Sequence, residues 1–166
     1  MISYSFYSAV GLSDAAKYFN QKGGIVVIGA GNSGGLVDQS KVPYIISVSG
    51  TDQNDELCSF SSYGPYIDFA APSTGIWTTT SGGGYGAASG TSYSGPVLAG
   101  VIGLMFSANP ALSPNQVISI LRRTSVDLGE RGYDEHFGWG RVDAYQAVST
   151  ALRQGYSPLE STERLS

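Results

Sequence analysis

The sequence predicts an α/β domain built on a largely parallel sheet, and three observations carry that expectation. GIVVIGA (24–30) and YIISVSG (44–50) lack polar alternation, so they read as strands covered on both faces. Segments with helical spacing of apolar residues alternate with these runs, the pattern of a parallel sheet flanked by helices. Of the 166 residues, 42% are hydrophobic and 13% charged, enough apolar material for a real core.

The elements follow in chain order. ISYSFYS (2–8) reads as a short strand of β-branched and aromatic residues. Residues 13–23 read as a helix, with Ser13 as N-cap, Gly23 as the stop and Ala15, Ala16 and Phe19 on its apolar face. YIDFAAP (66–72) and GIWTTTS (75–81) are shorter extended pieces. The glycine-rich SGGGYGAASG (81–90) leads into a long helix over roughly 92–107. No charged residue occurs between Asp68 and Arg122, so this helix is expected to be buried all round. Residues 113–129 form an amphipathic helix with Ser113 as N-cap, Pro114 in its first turn and Gly129 beyond its end. A strand-like GRV and a final helix fill 140–155. The expected organisation is one domain over 1–153 and a polar, frayed tail over 154–166.

Composition excludes several function classes. Net charge is −4 and the pI about 4.7, with no basic cluster beyond Arg122–Arg123, so neither nucleic acid nor an anionic membrane is an expected partner. A single cysteine, Cys58, allows no internal disulfide. One Cys and one His make a tetrahedral zinc site a poor expectation, and no metal or cofactor is assigned. The opening MISYSFYSAV has no charged start or long apolar run, and the stretch near VLAGVIGLMF is short for a bilayer. A soluble chain is expected, with its compartment unassigned.

Two motifs carry candidate chemistry. Gly29, Gly31 and Gly34 match G-x-G-x-x-G after a strand, and Asp52 sits near the place of a ribose-binding acid. A dinucleotide site needs a helix next, on whose N-terminus the pyrophosphate rests. Only GLVDQSKVP separates Gly34 from the following strand, too little for a crossover helix. The second motif is GTSYSGP (90–96), in which Gly95 comes one residue too late for the G-x-S-x-G elbow. Ser92 at the start of an apolar helix stands beside free N–H groups and a positive dipole end, both suited to an oxyanion. Taken alone, the commoner role of such a serine is to cap the helix, and Asn32 in VVIGAGNSGG taken alone is a turn residue.

Together the segments resemble the subtilisin-like serine proteases, or subtilases. GTSYSGPVLAGVIGLMFSANPALSPNQV is similar to the family's nucleophile motif and VVIGAGNSGG to its oxyanion segment, with YIISVSGTD, SFSSYGP, IDFAAPSTGIWTT and GWGRVDAYQAV in the family's order. The resemblance, over residues 2–150, implies a Rossmann-like subtilisin fold whose N-terminal strands are missing. It puts Ser92 on the nucleophile, Asn32 and the Ser92 N–H on the oxyanion hole, and Ser5, Ala30 and Gly31 on the substrate-binding wall. The implied activity is acyl transfer through serine, on a peptide or small ester.

The chain also departs from the family. The family's catalytic Asp and His lie upstream of everything matched, and a serine without a base is a weak nucleophile. Ser5-Phe6-Tyr7 stands where the family has Ser-x-Gly, Tyr93, Ser94 and Gly95 replace Met, Ala and a small residue, and the loop after Asn32 is short. These changes favour small activated esters over extended peptides. His136, the one histidine, in GYDEHFGWG, reads either as a surface loop residue or as a base reaching Ser92 within the chain or across a dimer. An aromatic edge at 2–8 predicts a homo-oligomer or pairing with a separate N-terminal half. The other reading is an inactive subtilase fragment that acts by association.

Overall fold

The computed structural model describes residues 1–3 and 9–155. The expected strand at 2–8 therefore lies mostly outside the described residues, as does most of the tail. The elements run α1 (Leu12–Gln21), β1 (Val26–Gly29), β2 (Ile45–Thr51), β3 (Phe69–Pro72), β4 (Ile76–Thr79), β5 (Tyr85–Ala88), α2 (Thr91–Ala108), α3 (Pro114–Thr124) and α4 (Ala144–Gly155).

The predicted parallel sheet is present. β1, β2 and β3 pair in that order, with Val26 opposite Ile45 and Val48 opposite Phe69. Ile2 forms a parallel bridge to Ile28 on the free edge of β1, its N–H donating to the Val27 carbonyl at 2.8 Å. Arg141 bridges Ala70 on the free edge of β3. Both faces are covered, which is why every residue of β2 is buried. Ile46 and Val48 face a core shared with Leu98, Met105, Val117 and Leu121 of α2 and α3, while Ile45 and Ile28 face Ala16 of α1.

Local chemistry corrects several expected boundaries. α1 starts from Gly11, which takes φ +81 as N-cap, so Ser13 lies in the first turn instead of capping it. α3 begins as expected, with a capping box in which the Ser113 Oγ accepts from the Gln116 N–H and the Gln116 Oε1 accepts from the Ser113 N–H. It ends at Thr124 and not near Gly129. The Thr124 and Ser125 hydroxyls donate to the Ile120 and Leu121 carbonyls at 2.8 Å, and Val126 leaves to pair with Arg141. The glycine-rich segment hides β5, which pairs antiparallel with β4. In GRV only bridges form, and the strand within 66–72 is its last four residues.

The expectation of a helix buried all round does not hold. α2 packs Leu98, Val101, Ile102 and Met105 inward, but Gly100, Gly103, Leu104 and Ser107 are exposed, Leu104 at 57%. The i, i+3, i+4, i+7 spacing of those four residues marks one face, which no described element covers. The helix is also longer than its apolar run: at 18 residues and mean hydropathy 1.2 it has the length and composition to cross a membrane. Here its other side is the centre of the core.

Candidate active site

The site forms where the N-terminus of α2 meets the C-terminal end of β1. A Cβ on Gly29 would fall 2.5 Å from the Thr91 carbonyl oxygen, so the helix approaches the strand this closely only because residue 29 has no side chain. No helix follows the glycine turn before β2, and the dinucleotide reading fails as the sequence predicts.

Asn32 is locked to the helix start. Its Oδ1 accepts from the Thr91 N–H at 2.9 Å and from the Thr91 hydroxyl at 3.1 Å, and the same hydroxyl accepts from the Gly31 N–H at 3.1 Å. A backbone N–H can only donate, so this contact fixes which end of the amide faces Thr91. The Asn32 Nδ2 therefore faces outward, and among the described residues it donates to nothing.

Ser92 lies one residue into α2 and does not cap it. The N-cap is Gly90, at φ +143 and with no side-chain bond. The Ser92 Oγ donates to the Ser3 carbonyl, and the Ser3 Oγ donates to the Ser92 carbonyl, each at 3.3 Å. The second bond has a local cause: Pro96, four residues on, has no N–H to give that carbonyl. The Ser92 N–H has no partner among the described residues. A Cβ on Gly90 would stand 3.5 Å from the Asn32 Nδ2 and 3.9 Å from the Ser92 N. Glycine at 90 thus adds no side chain to the space between these two donors.

The other sequence-predicted residues are distributed unequally. Ala30 is buried, its N–H donating to the Val48 carbonyl and its carbonyl accepting from the Tyr66 hydroxyl at 2.7 Å. The Gly31 carbonyl accepts from the Ser62 N–H at 2.9 Å. These backbone groups of the expected substrate wall are thus already bonded within the protein. Ser5 lies outside the described residues. His136 does not join Ser92: its ring stacks on Tyr63 at 4.3 Å and its N–H donates to the Asp134 Oδ1 at 2.7 Å. Its loop packs against Asp68, where Trp139 N–H donates to the Asp68 carbonyl at the start of β3. Sequence reasoning assigns Gly90 and Thr91 no individual role, although both stand in the Gly-Thr-Ser signal it uses.

Among the described residues, no group of three or more His, Cys, Asp or Glu side chains is placed to hold a metal ion. Burial pushes the Tyr66 phenol up to about 12, with the Ser62 side chain acting in the opposite sense.

Comparison with known proteins matches this geometry to a family. A sequence profile described as the subtilase family matches residues 3–140. The halolysin-like extracellular serine protease Nep of Natrialba magadii is 40% identical over 130 residues, covering 77% of this chain and 24% of that protein. Thermitase of Thermoactinomyces vulgaris is 38% identical over 140 residues, covering 83% of this chain and 49% of its own length. The crystal structure of a lanthipeptide protease superposes with a TM-score of 0.75 at 27% identity, over 83% of this chain and 54% of that one. The chain spans less than half the length of the two sequence relatives. A family profile that runs over most of the residues, with relatives 38–40% identical, makes this chain a member of the subtilase family.

Proposed function

We propose that this chain supplies the nucleophile and oxyanion hole of a subtilisin-type serine hydrolase acting on a peptide or a small activated ester. One observation carries the reading: the Asn32 Nδ2 and the Ser92 N–H, both without partners among the described residues, flank the open volume at Gly90. Neutral donors held in place before reaction suit an oxygen that gains charge only in the transition state. The Ser92 Oγ attacks the substrate carbonyl carbon, its proton passes to a base, and the carbonyl oxygen becomes an oxyanion between the two donors. Collapse expels the leaving group, which takes the proton, and leaves an acyl ester on Ser92. Water, deprotonated by the same base, then releases the acid and regenerates the serine.

The base has to displace the Ser3 carbonyl from the Ser92 hydroxyl, and His136 is engaged with Tyr63 instead. We infer that the base arrives with the N-terminal half of a subtilase domain, packed along Ile2–Ser3 and the uncovered face of α2 at Gly100, Gly103 and Leu104. Self-association of this chain through the same face is the other arrangement. A second reading, an inactive fragment acting by association, draws support from that same Ser92–Ser3 bond.

Hydrolysis of a p-nitrophenyl ester tests the proposal, measured with and without a separately produced N-terminal half. Turnover that Ser92→Ala removes and the added half increases is expected. Turnover unchanged by Ser92→Ala would overturn it.

A further inference from the structure

A cavity of about 230 Å³ opens at the opposite end of the sheet, between the end of α1, the entry to β2, the start of β3 and the flank of α3. Ile45, Phe69 and Ile118 supply apolar wall, and Lys41 and Arg122 line it as well. The two cations differ. The Lys41 Nζ is neutralised by the Asp68 carboxylate at 2.7 Å. Arg122 lies over the Trp139 ring at 5.1 Å and makes no ion pair among the described residues. Tyr44, at the same cavity, holds φ +65, a left-handed conformation that a non-glycine residue keeps only where its surroundings impose it. In a chain of net charge −4, this is a largely apolar recess with one positive charge that has no ion-pair partner among the described residues.

We propose that the cavity binds a small apolar monocarboxylate, its hydrocarbon body against Ile45 and Ile118 and its carboxylate on the Arg122 guanidinium. The volume falls below that of drug-sized pockets, so the occupant is short. A single carboxylate matches the Arg122 guanidinium in a bidentate contact. A phosphate dianion would leave charge unmatched and the wall wet. The site is separate from Ser92 and stands or falls independently of the hydrolase reading.

Titrating the full chain with octanoate, octan-1-ol and inorganic phosphate tests this by calorimetry and by backbone amide shifts. Octanoate is expected to saturate and to shift Ile45, Ile118 and Arg122, while octan-1-ol of equal length binds at least about tenfold more weakly, one charge-assisted hydrogen bond being worth that ratio. Arg122→Gln should weaken octanoate by about tenfold and Arg122→Lys by about threefold or less. Arg123→Gln, which removes the same charge one residue along, should change it by under about twofold. Unchanged melting temperatures separate these effects from loss of fold. Equal binding of octan-1-ol, an equal effect of Arg123→Gln, preferential binding of phosphate, or no saturation by about 10 mM octanoate would each overturn the proposal.

Discussion

At the C-terminal ends of the parallel strands, Asn32, Thr91 and Ser92 are held by bonds between neutral groups, with glycine at 29 and 90 clearing the space. At the N-terminal ends the chain places Lys41 on Asp68 and Arg122 over Trp139, and the 133–139 loop that packs beside them stacks His136 on Tyr63. The first region leaves the Asn32 Nδ2 and the Ser92 N–H without partners among the described residues. The second ties most of its charged and aromatic groups to one another. Free, pre-aimed dipoles can act on a developing charge, because they need no rearrangement when it appears. Groups already stacked and paired mainly hold loops together. This contrast explains why the single histidine, the obvious residue by type, is a poorer candidate here than an asparagine and a glycine.

Gly90→Ala should produce the largest effect. A methyl there enters the open volume, and φ +143 strains any side chain, so Ser92 reactivity should fall more than about 10³-fold with a loss of about 1–3 kcal/mol in stability. Ester hydrolysis and thermal melts read the two effects, and a variant as reactive as the parent would erase the contrast between the two regions. Asn32→Ala should cost about 10²–10³ in turnover, the cost that removing an oxyanion-hole asparagine has in subtilisin. Thr91→Val keeps the backbone bond to the Asn32 Oδ1 but removes the hydroxyl that joins Gly31 to Asn32. Roughly a tenfold loss is expected, the worth of about one hydrogen bond. An unchanged rate would mean that the backbone bond alone aims the amide.

Tyr66 connects the regions, since it lies two residues before Asp68 and its hydroxyl donates to the Ala30 carbonyl. Burial raises its phenol to about 12, so above pH 10 the unfolded chain ionises at this residue while the folded chain does not. Its contribution to stability is therefore full below pH 10 and declines as pH rises toward 12. Tyr66→Phe should be less stable by about 1 kcal/mol at pH 8, with the gap narrowing between pH 10 and 12 in denaturant titrations. A gap that widens would contradict the sign. His136→Ala should be the mildest, changing ester turnover by under about twofold. Loss of turnover in that variant would restore His136 as the base.

Much of this architecture is legible in the residues. The continuous apolar run of β2 announces a strand covered on both faces, and Ser113 with Pro114 announces the start of α3. The turn through Gly29 excludes a dinucleotide because nothing helical follows it. What stayed hidden depends on partners distant in sequence. The Thr91 clamp spans 59 residues to Asn32, and no local pattern reports it. The uncovered face of α2 is as apolar or small as its buried one, so hydrophobicity does not distinguish them. β5 escapes because its glycines and alanines read as a turn, although they pair in register with β4.

Whether Ser92 faces a ready-made oxyanion hole is read out by labelling the full chain with a fluorophosphonate and locating the adduct by peptide mapping. Labelling is expected at Ser92 in preference to the exposed serines, accelerated by free imidazole standing in for the base and slowed about 10²-fold or more by Asn32→Ala. Labelling of Ser92 no faster than of surface serines, and indifferent to both imidazole and Asn32, would contradict it.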